Sequence, residues 1–96
     1  MTHFHFKDAK NAHKAQIKML LLNKQNLSVP QIKFLIQSST YALIMLDEYK
    51  NDFEAEKISM LNEKLSYYEP SEDFRKEDPS FYGDEKLLDL LKEYIS

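Results

Sequence analysis

Apolar residues recur along most of this chain at the three- and four-residue spacing of an α-helix. In the first quarter they form one stripe at about 100° per residue, which predicts an amphipathic helix over about residues 7–24. The polar segment 23–26 marks the end of this helix. The residues on the stripe are Phe6, Ala9, His13, Ile17, Leu20 and Leu27.

A second helix is predicted over about residues 29–50. Its start is marked by Ser28 as a cap, Pro30 in the first turn and Gln31 as the partner in a capping box. This helix has a main apolar face and a second apolar strip near the opposite side, so it is either central in its domain or covered by a second subunit. The main face holds Ile32, Leu35, Ile36, Ser39, Ala42, Leu43, Leu46, Tyr49 and Phe53, and the second strip holds Phe34, Tyr41 and Met45.

Residues 27–46 resemble the helix-turn-helix of winged-helix regulators over about twenty residues. In that motif the second helix enters the major groove and presents polar and basic side chains. The corresponding helix would start at Tyr41, is apolar and ends at an acidic pair, and Gln37 stands nearest to the usual turn glycine. We therefore interpret this stretch as one continuous helix.

The apolar stripe changes direction after residue 50, because the apolar residues of 58–68 point about 120° away from those of 46–53 on one ideal helix. We predict a break at Asn51 and Asp52, with Asn51 as a left-handed C-cap and Asp52 as the next N-cap. A third helix over about residues 53–68 follows. The alternative is a single long kinked helix.

Pro70 ends the third helix, since proline disfavours helix in the residue before it. Residues 69–83 form a connector, in which Ser71 can cap a single turn over residues 72–77. The last helix is predicted over about residues 85–94. One glycine and three prolines argue against an all-β fold. The predicted fold is all-α, a small four-helix bundle in a single domain with a long acidic connector before the last helix.

The two halves of the chain differ in charge. Residues 1–46 contain six lysines and one acidic residue, whereas residues 47–96 contain seven Lys/Arg and fifteen Asp/Glu. Such a split points to partner choice or self-docking. Four lysines on a face of the first helix are anion-binding candidates, and the alternatives are a solvated face or docking against an acidic stripe of the third helix. The lysines are Lys7, Lys10, Lys14 and Lys18, and the acidic stripe is Asp52, Glu56 and Glu63.

We name residues 67–85 the acidic aromatic segment, because it holds five of the twelve Phe/Tyr residues and seven acidic residues. Aromatic rings give large contact areas, and a negative field speeds encounter with a basic partner. The alternative is that the rings attach the connector to the bundle while the acids stay in water. The candidate partner contacts are Tyr67, Tyr68, Glu72, Asp73, Phe74, Asp78, Phe81 and Tyr82.

The chain has no cysteine and a single glycine, which excludes thiolate chemistry and a glycine-rich phosphate loop. His3 and His5 alternate as metal ligands could, but no cysteine or acid cluster supports them. His13 is expected to be a hydrogen-bonded residue at the edge of the core. We therefore expect no enzyme activity, metal or cofactor. The apolar runs are too short to cross a bilayer, so a soluble, cytoplasmic protein is expected.

The expected function is a small protein-binding module, an inhibitor, immunity-type protein or adaptor, acting through the acidic aromatic segment on a basic or nucleic-acid-binding protein. In size, helicity and acidity the chain is similar to small helical immunity proteins and phage-encoded inhibitors. A homodimer formed by the strip of the second helix is also expected. The alternatives are a nucleic-acid-associated regulator that uses the lysines, which the overall acidity disfavours, and a structural homodimer subunit.

Overall fold

A computed structural model describes residues 5–96, and in that range the chain forms five α-helices and one 3₁₀ helix. The all-α class is confirmed. No helix of this range is both long and apolar enough to cross a lipid bilayer. The elements are α1 (Phe6–Leu22), α2 (Val29–Ile44), the 3₁₀ helix (Asp47–Asn51), α3 (Ala55–Leu65), α4 (Glu72–Arg75) and α5 (Asp84–Ile95).

Helix α2 is the central element, because it packs against α1, α3 and α5. It begins at the predicted capping box: the Ser28 hydroxyl oxygen accepts the Gln31 N–H at 3.3 Å, and the Gln31 side chain accepts the Ser28 N–H at 2.9 Å. The helix is unbroken from residue 29 to residue 44, which excludes a helix-turn-helix. Its buried face consists of Ile32, Ile36, Thr40 and Leu43.

The chain leaves α-helical geometry earlier than predicted, after Met45 instead of at Asn51. Leu46 is extended, and the 3₁₀ helix then leads into α3, so a single long helix is excluded. Non-glycine residues with positive φ do not occur within residues 5–96, so the predicted left-handed cap at Asn51 is wrong. The Asp52 carboxylate accepts the Glu54 N–H at 2.9 Å, which fixes the turn one residue before α3.

Two clusters of buried side chains form the core. The larger cluster joins the four long helices and both ends of the connector, and the smaller one joins the start of α1 to the end of α2 and to α3. The larger cluster holds Ile17, Ile32, Ile36, Leu61, Leu65, Tyr68, Tyr82, Leu87, Leu91 and Tyr94, and the smaller one holds Phe6, Leu43 and Ile58. Phe53, predicted on a buried face, is 90% exposed because the early end of α2 changes the direction in which it points.

The connector between α3 and α5 is a loop closed at its base. The Glu69 N–H donates to the Tyr82 carbonyl oxygen at 2.9 Å, and the Tyr82 N–H donates to the Tyr67 carbonyl oxygen at 3.1 Å. Within the loop, the Arg75 guanidinium donates to the Glu69 carbonyl oxygen at 2.7 Å. Ser71 caps α4 as predicted. These bonds give an irregular segment a defined position on the bundle.

Candidate functional site

The acidic aromatic segment has a buried base and an exposed rim. Tyr68 and Tyr82 form the base, each 8% exposed, with their ring centroids 6.1 Å apart. The Tyr68 hydroxyl donates to the Asp84 carboxylate at 2.6 Å, and the Tyr82 hydroxyl donates to the Lys64 carbonyl oxygen at 2.7 Å. Both rings were predicted as partner contacts. The structure places them in the core instead, because their burial attaches the connector to α3 and α5.

Burial also raises the pKa values of these two tyrosines. It raises the pKa of Tyr82 to about 12. The pKa of Tyr68 is raised as well, first by burial and then by the hydrogen bond to the Asp84 carboxylate. Both hydroxyls, protonated at neutral pH even at the ordinary tyrosine pKa, therefore stay hydrogen-bond donors further into the alkaline range.

The exposed rim keeps two of the predicted aromatic contacts. Tyr67 is 39% exposed and Phe74 is 56% exposed. Glu72 and Asp73, in the first turn of α4 beside Phe74, are exposed as well. The rim therefore presents apolar rings and free carboxylates from a segment whose base is fixed.

Phe81 and Tyr67 lie in two adjoining depressions beside α5. The depression that contains Tyr67 has a volume of about 450 Å³, and the one that contains Phe81 has a volume of about 680 Å³. Phe81 and Asp78 are both half-buried, and the Asp78 carboxylate accepts the Ser80 N–H at 2.8 Å. The residues shared by the two depressions are Tyr82, Lys86 and Asp89.

A second surface is the apolar strip of α2, which comprises Phe34, Tyr41 and Met45. These side chains are 66%, 58% and 64% exposed, while the opposite face of the same helix is buried. The sequence left open whether α2 is central in its domain or covered by a second subunit. Within the chain α2 is central, since α1, α3 and α5 pack on it, and the strip lies on the face that these helices leave exposed.

The four candidate lysines of α1 do not form one accessible surface. Lys7 and Lys18 are exposed, Lys14 is half-buried and Lys10 is buried. Lys10 was predicted as part of an anion-binding face. That prediction is wrong for this residue, because its ammonium group is enclosed by carboxylates of the same chain.

We name Lys10, Lys14, Asp52 and Glu54 the ion-pair cluster. The Lys10 Nζ lies 2.8 Å from Asp52 Oδ2 and 3.0 Å from Glu54 Oε1, and its side chain is 8% exposed. The Lys14 Nζ lies 3.5 Å from the other Glu54 oxygen. The Lys10 ammonium also lies 4.4 Å from the centroid of the Phe53 ring. The positive and negative halves of the chain thus pair within one molecule. Asp52 takes part in this pairing as predicted. Glu54 takes the place of Glu56 and Glu63, which were predicted and stay exposed.

The pKa values of the cluster follow from this geometry. Burial alone would lower the pKa of Lys10, but hydrogen bonds to Asp52 and Glu54 outweigh burial and raise it. Burial would raise the pKa of Asp52, whereas the hydrogen bonds from Lys10 and from the Glu54 N–H lower it. The hydrogen bond from Lys10 is the main reason why the pKa of Glu54 is lowered. All three groups are therefore charged at neutral pH.

A groove of about 440 Å³ between α3 and α5 was not predicted. Both helices pack on α2, and the space between them depends on how that packing sets their separation. No local sequence pattern carries this information. The groove is lined by Phe53, Glu56, Lys57, Met60, Leu61, Lys64, Leu90, Glu93 and Tyr94.

Comparisons of the chain with protein-family models, with curated proteins and with solved structures find no match. Function is therefore inferred from the surfaces of this molecule alone.

The two histidines that the structure describes, His5 and His13, are not part of a metal-binding arrangement. His3 lies outside the described residues, and His5 is the exposed residue before α1. Within residues 5–96, no three His, Cys, Asp or Glu side chains cluster as metal ligands would. His13 is 4% exposed and its Nε2 lies 2.8 Å from the Thr40 hydroxyl oxygen, which confirms the predicted hydrogen-bonded position.

Replacing Tyr82 by phenylalanine should lower the free energy of unfolding by about 1 kcal/mol, because the bond to the Lys64 carbonyl oxygen is lost while the ring remains. Urea denaturation measures this value. Tyr67→Phe, which removes a hydroxyl from the exposed rim, is the control and should change stability by less than about 0.5 kcal/mol. Equal effects of the two substitutions would show that the Tyr82 hydroxyl does not hold the connector.

Proposed function

We propose that this protein is a small protein-binding module that acts as an inhibitor or adaptor, and that the exposed rim of the acidic aromatic segment binds a basic surface of another protein. The observation that carries the proposal is the presentation of Tyr67 and Phe74, exposed, on a segment fixed at its base by two buried tyrosines. Tyr68 and Tyr82 support this surface without contacting the partner.

The fixed base favours binding because less conformational freedom remains to be lost. A loop that is already ordered avoids part of the entropy cost of association. Aromatic rings are frequent anchors in protein interfaces, since each offers a large rigid contact area. Tyr67 and Phe74 therefore supply contact energy, and the half-buried Phe81 adds the wall of a neighbouring depression.

The charges of the segment define the kind of partner. Within the segment, seven acidic residues are opposed by Arg75 and Lys76, and Arg75 is bonded to a backbone carbonyl oxygen within the loop. Outside the segment, Lys64 and Lys86 line the depression that contains Tyr67, so the excess of acid is greatest at α4. Glu72 and Asp73 are free to pair with an external cation. Arginine fits best, because its guanidinium group pairs with carboxylates and stacks on aromatic rings. The inhibitor interpretation follows if the covered surface is one that binds an anionic ligand such as nucleic acid.

We expect the double variant Tyr67→Ala/Phe74→Ala to recover at least about tenfold less partner than the wild type when the tagged proteins capture partners from the native host. The control is Met19→Ala/Leu22→Ala, which removes two exposed apolar side chains of α1, outside both the acidic aromatic segment and the strip of α2. Its recovery should equal that of the wild type. Equal recovery by all three proteins would contradict the proposal, and selective loss in the control would assign binding to α1.

The role of charge is tested with the recovered partner. Glu72→Gln/Asp73→Asn should slow association several-fold at about 50 mM salt, with a smaller difference at about 300 mM salt, because screening removes long-range attraction. The control is Asp47→Asn/Glu48→Gln, an exposed acidic pair in the 3₁₀ helix. Equal association rates of the two variants would exclude charge steering by α4.

A further inference from the structure

The apolar strip of α2 lies on a helix that is almost without charge. Between residues 29 and 44 the only charged residue is Lys33, whose ammonium group donates to the Gln37 side chain at 2.8 Å and which lies about 100° from Phe34 around the helix. The exposed positions of the strip face carry no charge. They are Phe34, Ser38, Tyr41, Ala42 and Met45.

We infer that a second copy of this chain covers the strip, and that the two α2 helices pack antiparallel about a two-fold axis near residues 38–42. A two-fold interface brings each side chain near the axis close to its own copy, so a charged face would repel itself there. The α2 positions of this face are uncharged, and the exposed Glu63 of α3 flanks them in a depression beside Ser38 and Tyr41. Residues 47–96 carry fifteen acidic residues against seven basic ones. The α2 positions themselves therefore oppose self-association less than the acidic half of the chain does.

The shape of the face is self-complementary as well. A depression of about 360 Å³, partly formed by Pro30 and Phe34, lies at the start of α2, and Met45 projects at its end. An antiparallel pair places Met45 of each copy at the depression of the other. Ser38 and Ala42 then meet at the crossing point, where small side chains allow the helix axes to approach closely.

The size of the strip sets the strength of the dimer. A standard interface buries about 800 Å² on each partner, which is more than the exposed area of three side chains and their small neighbours. We expect a dimer that dissociates on dilution through the micromolar range. This surface is separate from the acidic aromatic segment, so either proposal can fail without the other.

Dilution experiments test the dimer directly. Sedimentation or light scattering of the whole chain should show the wild type passing from dimer to monomer, and Met45→Ser should raise the dissociation constant at least about tenfold. Met19→Ser is the matched control, since Met19 is 60% exposed on α1 and Met45 is 64% exposed. It should change the constant less than about twofold. A monomer at every concentration, or equal effects of both variants, would overturn the inference.

The antiparallel register is tested by disulfide formation, which has no background because the chain lacks cysteine. Under mild oxidation, a mixture of Phe34→Cys and Met45→Cys chains should form cross-linked dimers at least about tenfold faster than either variant alone. Two copies of residue 34 would lie about 16 Å apart along an antiparallel pair, too far for a disulfide. Fastest cross-linking of Phe34→Cys with itself would show parallel helices and overturn the register. Rates no higher than those of Ser80→Cys, a surface control, would overturn the interface.

Discussion

Replacing Lys10 by methionine should lower the free energy of unfolding by about 3 kcal/mol. The substitution keeps the apolar stem but leaves Asp52 and Glu54 without the ammonium group that lies within 3.0 Å of both. Removing one partner of a buried ion pair costs about 3–5 kcal/mol, because the remaining charge loses its compensation. The expected value lies at the lower end, since Asp52 and Glu54 are only half-buried and Lys14 still lies 3.5 Å from Glu54. Urea denaturation at neutral pH measures it.

Two controls distinguish the effect of breaking the ion pair from the effect of removing a lysine side chain from α1. Lys18→Met removes an exposed lysine of the same helix and should change stability by less than about 0.5 kcal/mol. In a background of Asp52→Asn and Glu54→Gln, Lys10→Met should cost markedly less than in the wild type, because no carboxylate of the cluster is left unpaired. Equal cost in both backgrounds would show that the carboxylates do not hold Lys10.

Local sequence signals were sufficient to predict those features that a short motif determines. The capping box at Ser28 and Gln31, and the cap of α4 at Ser71, depend on bonds between residues three apart. Helical periodicity likewise placed Ile32, Ile36 and Leu43 on the buried face of α2. Leu35 and Ala42, assigned to the same face, are exposed. Such features involve neighbours along one helix, and the spacing of residues in the chain determines them.

The end of α2 could not be predicted in the same way. Asn51 and Asp52 are good turn residues, but the chain turns at Leu46, where no proline or glycine marks a break. Packing decides the position: Leu43 is buried against Phe6 and Ile58 in the smaller core cluster, and such long-range contacts override local preference. Phe53 consequently points to solvent beside Lys10 and not into the core.

The sequence predicted which segment forms the candidate site, but it did not predict which aromatic residues of that segment are buried and which are exposed. Composition identified residues 67–85 as aromatic and acidic. Tyr67 and Tyr68 are adjacent in the sequence, yet Tyr67 is exposed and Tyr68 is buried. The short backbone bridge between Tyr68 and Tyr82 decides which rings turn inward. A contact between residues fourteen apart leaves no periodic signal, so the pattern could not separate supporting tyrosines from exposed ones.

His13 should make the protein lose about 2.5 kcal/mol of stability between pH 7 and pH 4.5. The Thr40 hydroxyl donates to the Ile36 carbonyl oxygen at 2.7 Å, so the His13 Nε2–H must donate to the Thr40 oxygen. Nδ1 is then an acceptor without a hydrogen-bond partner in residues 5–96. Protonating it would bury a charge beside Lys14. Burial first, and then the charge of Lys14, therefore lower the pKa of His13 to about 4.

The direction of the pH effect follows from which state binds the proton. The unfolded chain takes it up near the ordinary pKa of 6.5, whereas the folded protein does so only near pH 4. Unfolding thus absorbs a proton between these values, and stability falls as the pH falls, by about 1.4 kcal/mol for each unit. The loss attributable to His13 is complete below pH 4. The depressed pKa values of Asp52 and Glu54 act from the ordinary values of 3.8 and 4.5 downward, so these carboxylates contribute little above pH 5.

Urea denaturation at half-unit steps from pH 7 to pH 4.5 isolates this contribution. His13→Gln keeps an N–H donor for Thr40 and cannot titrate, so its stability should change by less than about 0.5 kcal/mol between pH 7 and pH 5, where Asp52 and Glu54 still contribute little. His5→Gln removes the exposed histidine before α1 and should leave the wild-type slope unchanged. The same slope in His13→Gln as in the wild type would place the acid sensitivity in the carboxylates and not in the buried ring. A flat profile with His13→Gln alone would identify one imidazole, held neutral between α1 and α2, as the group that limits stability in weak acid.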